Sequence, residues 1–260
     1  MGVAGWQWVF LIEGLPAVLL AVAVPLFLCD RPSEARWLAA DERSWLENTL
    51  QRERGEAPGG HLSFAQAIPS SAIMLMMTIY LLIGVGVYGK AYFLPLMIKS
   101  LGYTDLSVGY ITSIPAFAGV AGMLVFSRSS DRTGERVWHL IVPCVLDGAG
   151  VVLAGLFLSV NPILAIAAFS LSSFGISGAL PVFWNLPTAF LGPTAAAGGI
   201  AFINSVGNVS GYAAPQMVGF LRDSTGSYEL PMLVVGAMVL FAGVLVPLAA
   251  SRRVRAAAVV

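Results

Sequence analysis

The protein has 260 residues, and its 14 Lys and Arg residues balance its 14 Asp and Glu residues. Hydrophobic residues make up 57% of the chain and charged residues only 11%, whereas roughly a quarter of the residues are charged in an ordinary soluble domain. This composition, arranged in long apolar blocks, excludes a soluble globular enzyme, a disordered tail and a protein that binds nucleic acid through a basic face.

Seven apolar blocks are long enough to cross a bilayer as helices, for which about 20 residues are needed. Each block must be helical in lipid, because only a helix satisfies its own backbone hydrogen bonds there. The predicted spans, in chain order, are residues 8–29, 72–98, 108–126, 140–160, 163–184, 200–221 and 230–250. The sequence therefore predicts an all-α membrane protein with seven transmembrane helices.

The distribution of basic residues predicts the orientation of these spans. Arg residues are concentrated in the segments that follow spans 1, 3 and 7, whereas the opposite side has only Lys99 and Arg222. Loops rich in Lys and Arg lie in the cytoplasm, so we expect a multi-pass protein of the cell membrane with a cytoplasmic C-terminus. The first span then begins outside with almost no tail, as in a genuine N-outside protein or in one whose earlier helices are missing.

The segment 30–71 is the long loop of the sequence. Its first part is amphipathic, with apolar residues such as Trp37 and Trp45 on one side at helical spacing. We expect an interfacial helix on the cytoplasmic surface, followed by a flexible break rich in Gly. The predicted organisation is a first span in residues 1–29, this central loop, and a six-helix unit in residues 72–260.

Spans 2–4 and spans 5–7 form two triplets, and we interpret the leading helix of each as the most interrupted. The interrupting residues are Gly84, Gly86, Gly89 and Pro95 in span 2, and Gly175, Gly178 and Pro181 in span 5. Broken helices at matching places in two repeats predict a transport site, because unwound backbone is tolerated in a membrane only where it lines a cavity. The alternative is that Gly and Pro are simply frequent in membrane helices.

Three ionisable side chains lie inside the predicted spans. Lys90 either extends to the outer surface or faces a water-filled cavity, where its ammonium group would attract a carboxylate. The broken helix around it favours the cavity. Glu13 is expected near the membrane interface or bonded to a neighbouring helix. Asp147 could bind a proton, but the sequence identifies no partner for it.

Polar and aromatic residues of spans 2, 5 and 6 are candidates for a solute site. Asn204 and Asn208 lie four residues apart and share a face of span 6. In lipid, Asn bonds another helix or a solute, and a small-residue motif that begins at Gly207 supports the alternative of close helix packing. Tyr88 and Trp184 lie in or beside the interrupted spans, where aromatic residues line a site or anchor a helix at the membrane surface.

Motifs that would indicate an enzyme are misplaced in this sequence. Residues 84–89 spell GxGxxG, but they lie inside a membrane span and not after a strand of a soluble βαβ unit. His61 and His139 lack the spacing of metal ligands. Cys29 and Cys144 lie far apart in apolar blocks, without zinc or disulfide spacing. We therefore predict that the chain is not an enzyme and needs no cofactor.

Six strings carry a family resemblance: residues 5–17 (GWQWVFLIEGLPA), 31–46 (RPSEARWLAADERSWL), 130–136 (SDRTGER), 183–191 (FWNLPTAFL), 203–208 (INSVGN) and 222–226 (RDSTG). Residues 5–17 resemble the sixth helix of the major facilitator superfamily, and residues 31–46 resemble its central loop. Residues 130–136 resemble its cytoplasmic loop signature. Residues 183–191 resemble its tenth helix, residues 203–208 its eleventh helix, and residues 222–226 the loop that follows it. The similarity is to its anion:cation symporter branch, which includes tartrate, phthalate, hydroxyphenylacetate and sugar-acid permeases.

This resemblance implies that spans 1–7 correspond to helices six to twelve of a twelve-helix secondary transporter whose first five helices are absent. It implies proton-coupled symport of an organic anion by alternating access, with protons as the coupling ion. The implied partners are a small organic acid, the lipid bilayer and the missing N-terminal half. Because that half carries the family's proton-linked acids, the chain alone is expected to be inactive. The alternative is a self-standing seven-helix sensor or assembly partner without transport activity.

The resemblance also assigns residues to the substrate site. In the family, the helices around the substrate correspond to spans 2, 3, 5 and 6 of this chain. Trp184 and Asn204 are accordingly expected to contact the substrate, followed by Tyr88 and Lys90, with Asn208 on the same face as Asn204.

The loop signature between spans 3 and 4 contributes Asp131, Arg132, Gly134 and Arg136. In the family, this loop latches the two halves of the transporter and gates their movement. Asp131 could accept hydrogen bonds from a helix N-terminus, and the Arg residues could pair with acids or with lipid phosphates.

Overall fold

The computed structural model of the protein describes residues 4–55, 71–188 and 193–257. These ranges are almost entirely helical and contain no β-strand, which confirms the predicted all-α class. The chain divides into two compact units, residues 1–59 and residues 60–260. The predicted three-part division into residues 1–29, 30–71 and 72–260 stays a prediction.

The first unit contains one long apolar helix and one polar helix. Helix α1 covers Gly5–Phe27, a 3₁₀ turn covers Pro32–Glu34, and helix α2 covers Ala40–Gly55. At the start of α2, the backbone N–H of Ala39 donates to the Glu42 carboxylate at 3.2 Å, which satisfies an N–H that the helix itself leaves unpaired. A helix is therefore present from Ala40 onwards, but Trp37 lies in the turn before it, so the predicted apolar face does not include this residue. The position of the helix at a membrane surface stays a prediction.

The second unit contains eight helices in its described residues. They are α3 (Ser71–Ala91), α4 (Leu94–Ser100), α5 (Asp105–Thr133), α6 (Trp138–Phe157), α7 (Pro162–Thr188), α8 (Pro193–Gly207), α9 (Ser210–Thr225) and α10 (Glu229–Ala257).

Six stretches of the described chain are long and apolar enough to cross a membrane. They are Gln7–Phe27, Ser71–Ser100, Asp105–Thr133, Trp138–Phe157, Pro162–Pro187 and Glu229–Ala249. The remaining predicted span, span 6 (residues 200–221), is divided between α8 and α9, which are separated by a turn at Asn208 and Val209. The predicted count of seven continuous spans is therefore not confirmed, because neither α8 nor α9 alone is long enough to cross.

The predicted interruption of span 2 is found just before Pro95, whereas its three predicted glycines lie inside the continuous helix α3, and span 5 is not interrupted. A turn at Tyr92 and Phe93 separates α3 from α4, whereas α7 runs without a break from Pro162 to Thr188. The prediction of matching breaks in the two leading helices is therefore wrong for span 5. The second break lies one helix later, between α8 and α9.

The glycines of α7 serve close helix packing instead. A Cβ atom at Gly175 would lie 2.5 Å from the backbone N of Asp147 and 2.5 Å from the carbonyl oxygen of Pro143. Only glycine therefore allows α7 to approach the backbone of α6 this closely. Small residues have this role in membrane proteins because interhelical van der Waals packing, rather than the hydrophobic effect, holds the helices together.

The core of the second unit forms around α3. Buried side chains of this helix, including Met76, Ile79 and Ile83, pack against Phe183 of α7 and Ile203 of α8. Helix α3 packs mainly against α10 and against the broken α8–α9 segment, and less against α7 and α6. Both polar sites described below include residues of α3.

Candidate substrate site and a buried ion pair

Four of the five predicted substrate-binding residues lie in one cluster. The Tyr88 hydroxyl donates to Oδ1 of Asn208 at 3.3 Å, and the Tyr80 hydroxyl donates to Oδ1 of Asn204 at 3.3 Å. The ring of Trp184 lies 4.8 Å from the ring of Tyr80, centroid to centroid. We call Tyr80, Tyr88, Trp184, Asn204 and Asn208 the aromatic–amide cluster.

The two Asn residues are joined at the break between α8 and α9. The Asn208 amide donates to Oδ1 of Asn204 at 2.8 Å and to the Asn204 carbonyl at 2.9 Å. The sequence predicted that Asn204 and Asn208 belong to one helix. In the structure, Asn208 lies in the turn that follows the helix of Asn204. The backbone N–H of Gly211 in turn donates to the Asn208 carbonyl at 2.9 Å, so the turn is held by polar groups of these residues.

Aromatic rings from α3 and α7 form the other side of the cluster. Tyr80 stacks on Phe183 with centroids 5.0 Å apart, and Trp184 meets both rings edge-on. Such offset and edge-to-face arrangements are the favourable ones for aromatic pairs. Gly207 makes room for this packing, because a Cβ atom there would lie 2.7 Å from Cε1 of Tyr80.

The cluster is accessible in the structure. Asn204 and Asn208 are exposed, while Tyr80, Tyr88 and Trp184 are half-buried. Hydroxyl, amide and indole groups are neutral hydrogen-bonding groups, and the rings add an apolar surface. A small solute that has both polar oxygens and a carbon skeleton can be bound by this combination.

Tyr80 is the member of the cluster that the sequence analysis missed. Tyr80, Gly84 and Tyr88 follow one another at intervals of four residues, so they lie on one face of α3. That spacing is a signal that could have identified Tyr80 together with Tyr88. The partners of this face are on α8 and α9, and only the fold shows them.

Lys90 lies in a different place from the other four predicted residues. Its ammonium group donates to Oδ1 of Asp147 at 2.6 Å and also to the hydroxyl of Ser172. The Ser172 hydroxyl donates to the same Oδ1 at 2.5 Å. Lys90 is 6% exposed and both partners are 0% exposed. The structure thus gives Asp147 the partner that the sequence did not identify, while substrate contact by Lys90 stays a prediction.

Helices α3, α6 and α7 each contribute one residue to this ion-pair cluster, which we define as Lys90, Asp147 and Ser172. A Cβ atom at Gly86 would lie 2.7 Å from Oδ2 of Asp147, so the glycine leaves space for the carboxylate. Among the described residues, Oδ2 of Asp147 is buried and has no hydrogen-bond partner.

The loop signature forms a compact turn after α5. Gly134 has a φ of +68°, and its N–H donates to the Ser130 carbonyl at 2.9 Å, which ends the helix. This left-handed conformation favours glycine. Arg136 donates to the Asp131 carboxylate at 2.7 Å and to the Ser130 hydroxyl at 2.8 Å. Arg132 is exposed beside them.

Glu135, and not Asp131, accepts hydrogen bonds from the N-terminus of the following helix. Its carboxylate accepts from the backbone N–H groups of Val137, Trp138 and His139 at 2.8–3.2 Å, and it contacts the His139 ring at 2.9 Å. Burial raises the pKa of Glu135, but the bonds from Trp138, His139 and Val137 together outweigh burial, so its pKa lies below the ordinary value. The sequence analysis did not single out Glu135.

The sequence matches the Major Facilitator Superfamily over residues 1–215. The chain belongs to the Major Facilitator Superfamily. This membership confirms the family resemblance and the expectation of a transporter rather than an enzyme. It follows that the protein is a multi-pass membrane protein.

Several curated relatives of this Major Facilitator Superfamily chain are transporters. It is 39% identical to a putative tartrate transporter of Agrobacterium vitis, over 95% of this chain and 55% of that protein. It is 36% identical to a quinolone resistance transporter of Acinetobacter baumannii, over 91% of this chain and 55% of that protein. It is 35% identical to the inner membrane transport protein RhmT of Escherichia coli, over 93% of this chain and 57% of that protein. The chain thus spans about half the length of the curated relatives that it matches.

The fold is similar to that of a solved structure in the same superfamily. The proton:xylose symporter XylE, bound to 6-bromo-6-deoxy-D-glucose, matches with a TM-score of 0.67 at 16% sequence identity. The match covers 92% of this chain and 55% of that protein. At this identity the likeness concerns the fold alone.

Proposed function

We propose that this chain supplies helices six to twelve of a secondary transporter that carries a small organic anion together with protons by alternating access. The observation that carries the proposal is the aromatic–amide cluster, which gathers hydrogen-bonding groups beside a broken helix. The names of the relatives, a putative tartrate transporter among them, support an organic acid as the substrate class.

The chemistry of the cluster suits a hydroxy acid. The amide group of Asn204 can donate to carboxylate and hydroxyl oxygens. The Asn208 amide and the hydroxyls of Tyr80 and Tyr88 can do so when a solute replaces the hydrogen bonds that they make within the cluster. Helix α9 begins at Ser210, directly after the turn that holds Asn208. The N-terminal end of a helix carries partial positive charge, so this break favours an anion over a neutral solute.

In the proposed transporter, this chain is one of two halves that move against each other around the substrate. Since the chain covers about half of its curated relatives, we propose that it does not transport by itself and needs an N-terminal half as its partner. The Arg-rich loops and the C-terminus lie in the cytoplasm in this proposal.

Proteoliposome uptake tests the proposal. The C-terminally tagged product of the native locus is purified, and its mass is compared with the 27.3 kDa of this chain. The native product and the 260-residue chain are then each reconstituted in liposomes. We expect a proton gradient to drive uptake of labelled tartrate or another small organic acid by a longer product, and no uptake by the 260-residue chain. The neutral polyol of the same carbon number is the matched control solute.

Three results would contradict this proposal. Proton-driven uptake by the 260-residue chain alone would show that no second half is needed. Equal uptake of the polyol and the acid would show that the site does not select the anion. Failure of the longer product to take up any organic acid would exclude an organic anion as the substrate.

A further inference from the structure

The ion-pair cluster has no part in the proposed contacts with the substrate. It lies in the interior of the second unit, where Lys90 of α3, Asp147 of α6 and Ser172 of α7 meet. All three side chains are buried. A charge inside a membrane protein is costly, and ionisable residues at such positions mark ion or proton pathways.

Helix packing alone does not account for these charges. The attraction within a buried ion pair often fails to recover the free energy lost when both charges leave water, and apolar side chains of similar volume pack without that loss. Gly86, whose missing Cβ leaves space beside the carboxylate of Asp147, shows that α3 accommodates the acid rather than excluding it. The cluster therefore requires a role for the charge itself.

The two oxygens of the Asp147 carboxylate have different surroundings. Oδ1 accepts hydrogen bonds from both Lys90 and Ser172. Oδ2 is buried without a hydrogen-bond partner in the described part of the unit. An unsatisfied buried carboxylate oxygen is unfavourable, and a proton bound to Oδ2 removes its negative charge.

The neighbouring elements contribute one charged partner among the described residues. Lys90 faces Asp147 from α3, the polar but uncharged Ser172 faces it from α7, and Cys144 lies one turn away on the same helix, α6. From α10, the apolar Val239 is close to the Gly86 position beside the carboxylate. The charge state of the cluster is therefore set by Lys90 and Asp147.

We propose that Asp147 is a proton-binding site, held in place by Lys90 and Ser172 and separate from the aromatic–amide cluster. A proton from water forms an O–H bond with Oδ2, and the ion pair between Asp147 and the still protonated Lys90 is lost. The cluster then changes from neutral to a net charge of +1. This inference rests on the proposed function, since it gives the proton of the symport a place in this half.

A +1 charge on this cluster would couple proton binding to anion binding. Tyr88 of the substrate site and Lys90 of the ion-pair cluster are two residues apart in α3, so one helix carries residues of both sites. An anion bound beside Tyr88 is attracted by the protonated cluster and not by the neutral one. By thermodynamic linkage, the anion then favours proton binding to the same extent, which is the requirement for symport.

Infrared spectroscopy of the purified chain in lipid nanodiscs tests this proposal directly. We expect the C=O stretching band of a buried, protonated carboxyl group to grow as the pH is lowered across the range in which the chain stays folded. The band should be lost in the double variant Lys90→Met/Asp147→Asn, which removes both charges and leaves neither uncompensated. The matched control is Asp105→Asn, which removes an exposed carboxylate paired with Lys99 and should leave the band unchanged.

Two outcomes would overturn the proposal: a wild-type chain that shows no such band, or a band that persists in the double variant. The uptake experiment above separates this result from the proposed function. If a longer product takes up organic acids but the band is absent, the proton site is wrong and the proposed function stands. If the band behaves as expected and no organic acid is taken up, the proton site stands and the proposed substrate class is wrong.

Discussion

At the scale of single residues, Asn204 is the central member of the aromatic–amide cluster. It accepts hydrogen bonds from both the Tyr80 hydroxyl and the Asn208 amide. Since a net hydrogen bond contributes about 1 kcal/mol, we expect Asn204→Ala to raise the KM for uptake by the complete transporter about 3- to 10-fold. Initial uptake rates at several substrate concentrations provide the measurement.

Ser205→Ala is the control for this substitution. Ser205 is the next residue on α8, and its hydroxyl donates to the Ala201 carbonyl of its own helix. The control should transport with an unchanged KM, and both variants should be inserted in membranes in wild-type amounts. If Asn204→Ala also leaves the KM unchanged, Asn204 only packs helices and does not contact the substrate.

Tyr80→Phe separates the two contributions of this tyrosine. The substitution removes the hydroxyl that donates to Asn204 and keeps the ring that stacks on Phe183. We expect weaker substrate binding, because the lost hydroxyl is at the accessible edge of the cluster. We expect unchanged thermal stability, because the retained ring still packs on Phe183. A large fall in the unfolding temperature of the purified variant would assign Tyr80 a structural role instead.

At the scale of helices and turns, the carboxylate of Glu135 stabilises the start of α6. Because its pKa is lowered in the folded protein, this stabilisation is present at pH values above its ordinary pKa. It is lost as the pH falls through the lower, folded-state value. We expect Glu135→Gln to lower stability by about 1 kcal/mol at neutral pH, as loss of a helix cap does, and to have little effect in acid.

Thermal unfolding of the detergent-purified chain, measured as a function of pH, checks this expectation. Asp223→Asn is the control, since Asp223 pairs with its exposed neighbour Arg222 and should contribute little at any pH. A difference between wild type and Glu135→Gln that stays constant down to strongly acidic pH would contradict the capping role.

The close contact of the broken α8–α9 segment with α3 depends on Gly207. Because a Cβ atom there would overlap the Tyr80 ring, Gly207→Ala should displace Tyr80 and lower uptake by the complete transporter at least tenfold. Gly109→Ala in α5 is the control, because a Cβ atom at that position meets nothing within 4 Å and should be tolerated. Wild-type uptake by Gly207→Ala would show that the α8–α9 break tolerates a shift of the ring.

At the scale of the whole molecule, the Arg-rich segments predict the orientation in the membrane. A fluorescent protein that matures only in the cytoplasm, fused to the C-terminus, should fluoresce. Alkaline phosphatase, which is active only outside the cytoplasm, should be inactive at the same position. The reverse pattern would contradict the proposed orientation.

The sequence determined the class of this protein because its signals are local. A run of about 20 apolar residues must be helical in lipid, and family strings identify a member of the Major Facilitator Superfamily without any knowledge of contacts. The break at Tyr92 and Phe93 in span 2 was predictable from Pro95, since a proline limits the helix that precedes it.

Only the tertiary structure decided what the interrupting and polar residues do. Gly175 resembles a helix breaker in the sequence, but it allows α7 to pack against α6. Lys90 and Asp147 are 57 residues apart in the chain and become partners when α3 and α6 meet. Pairing between distant segments depends on how the helices pack, and no single apolar block contains that information.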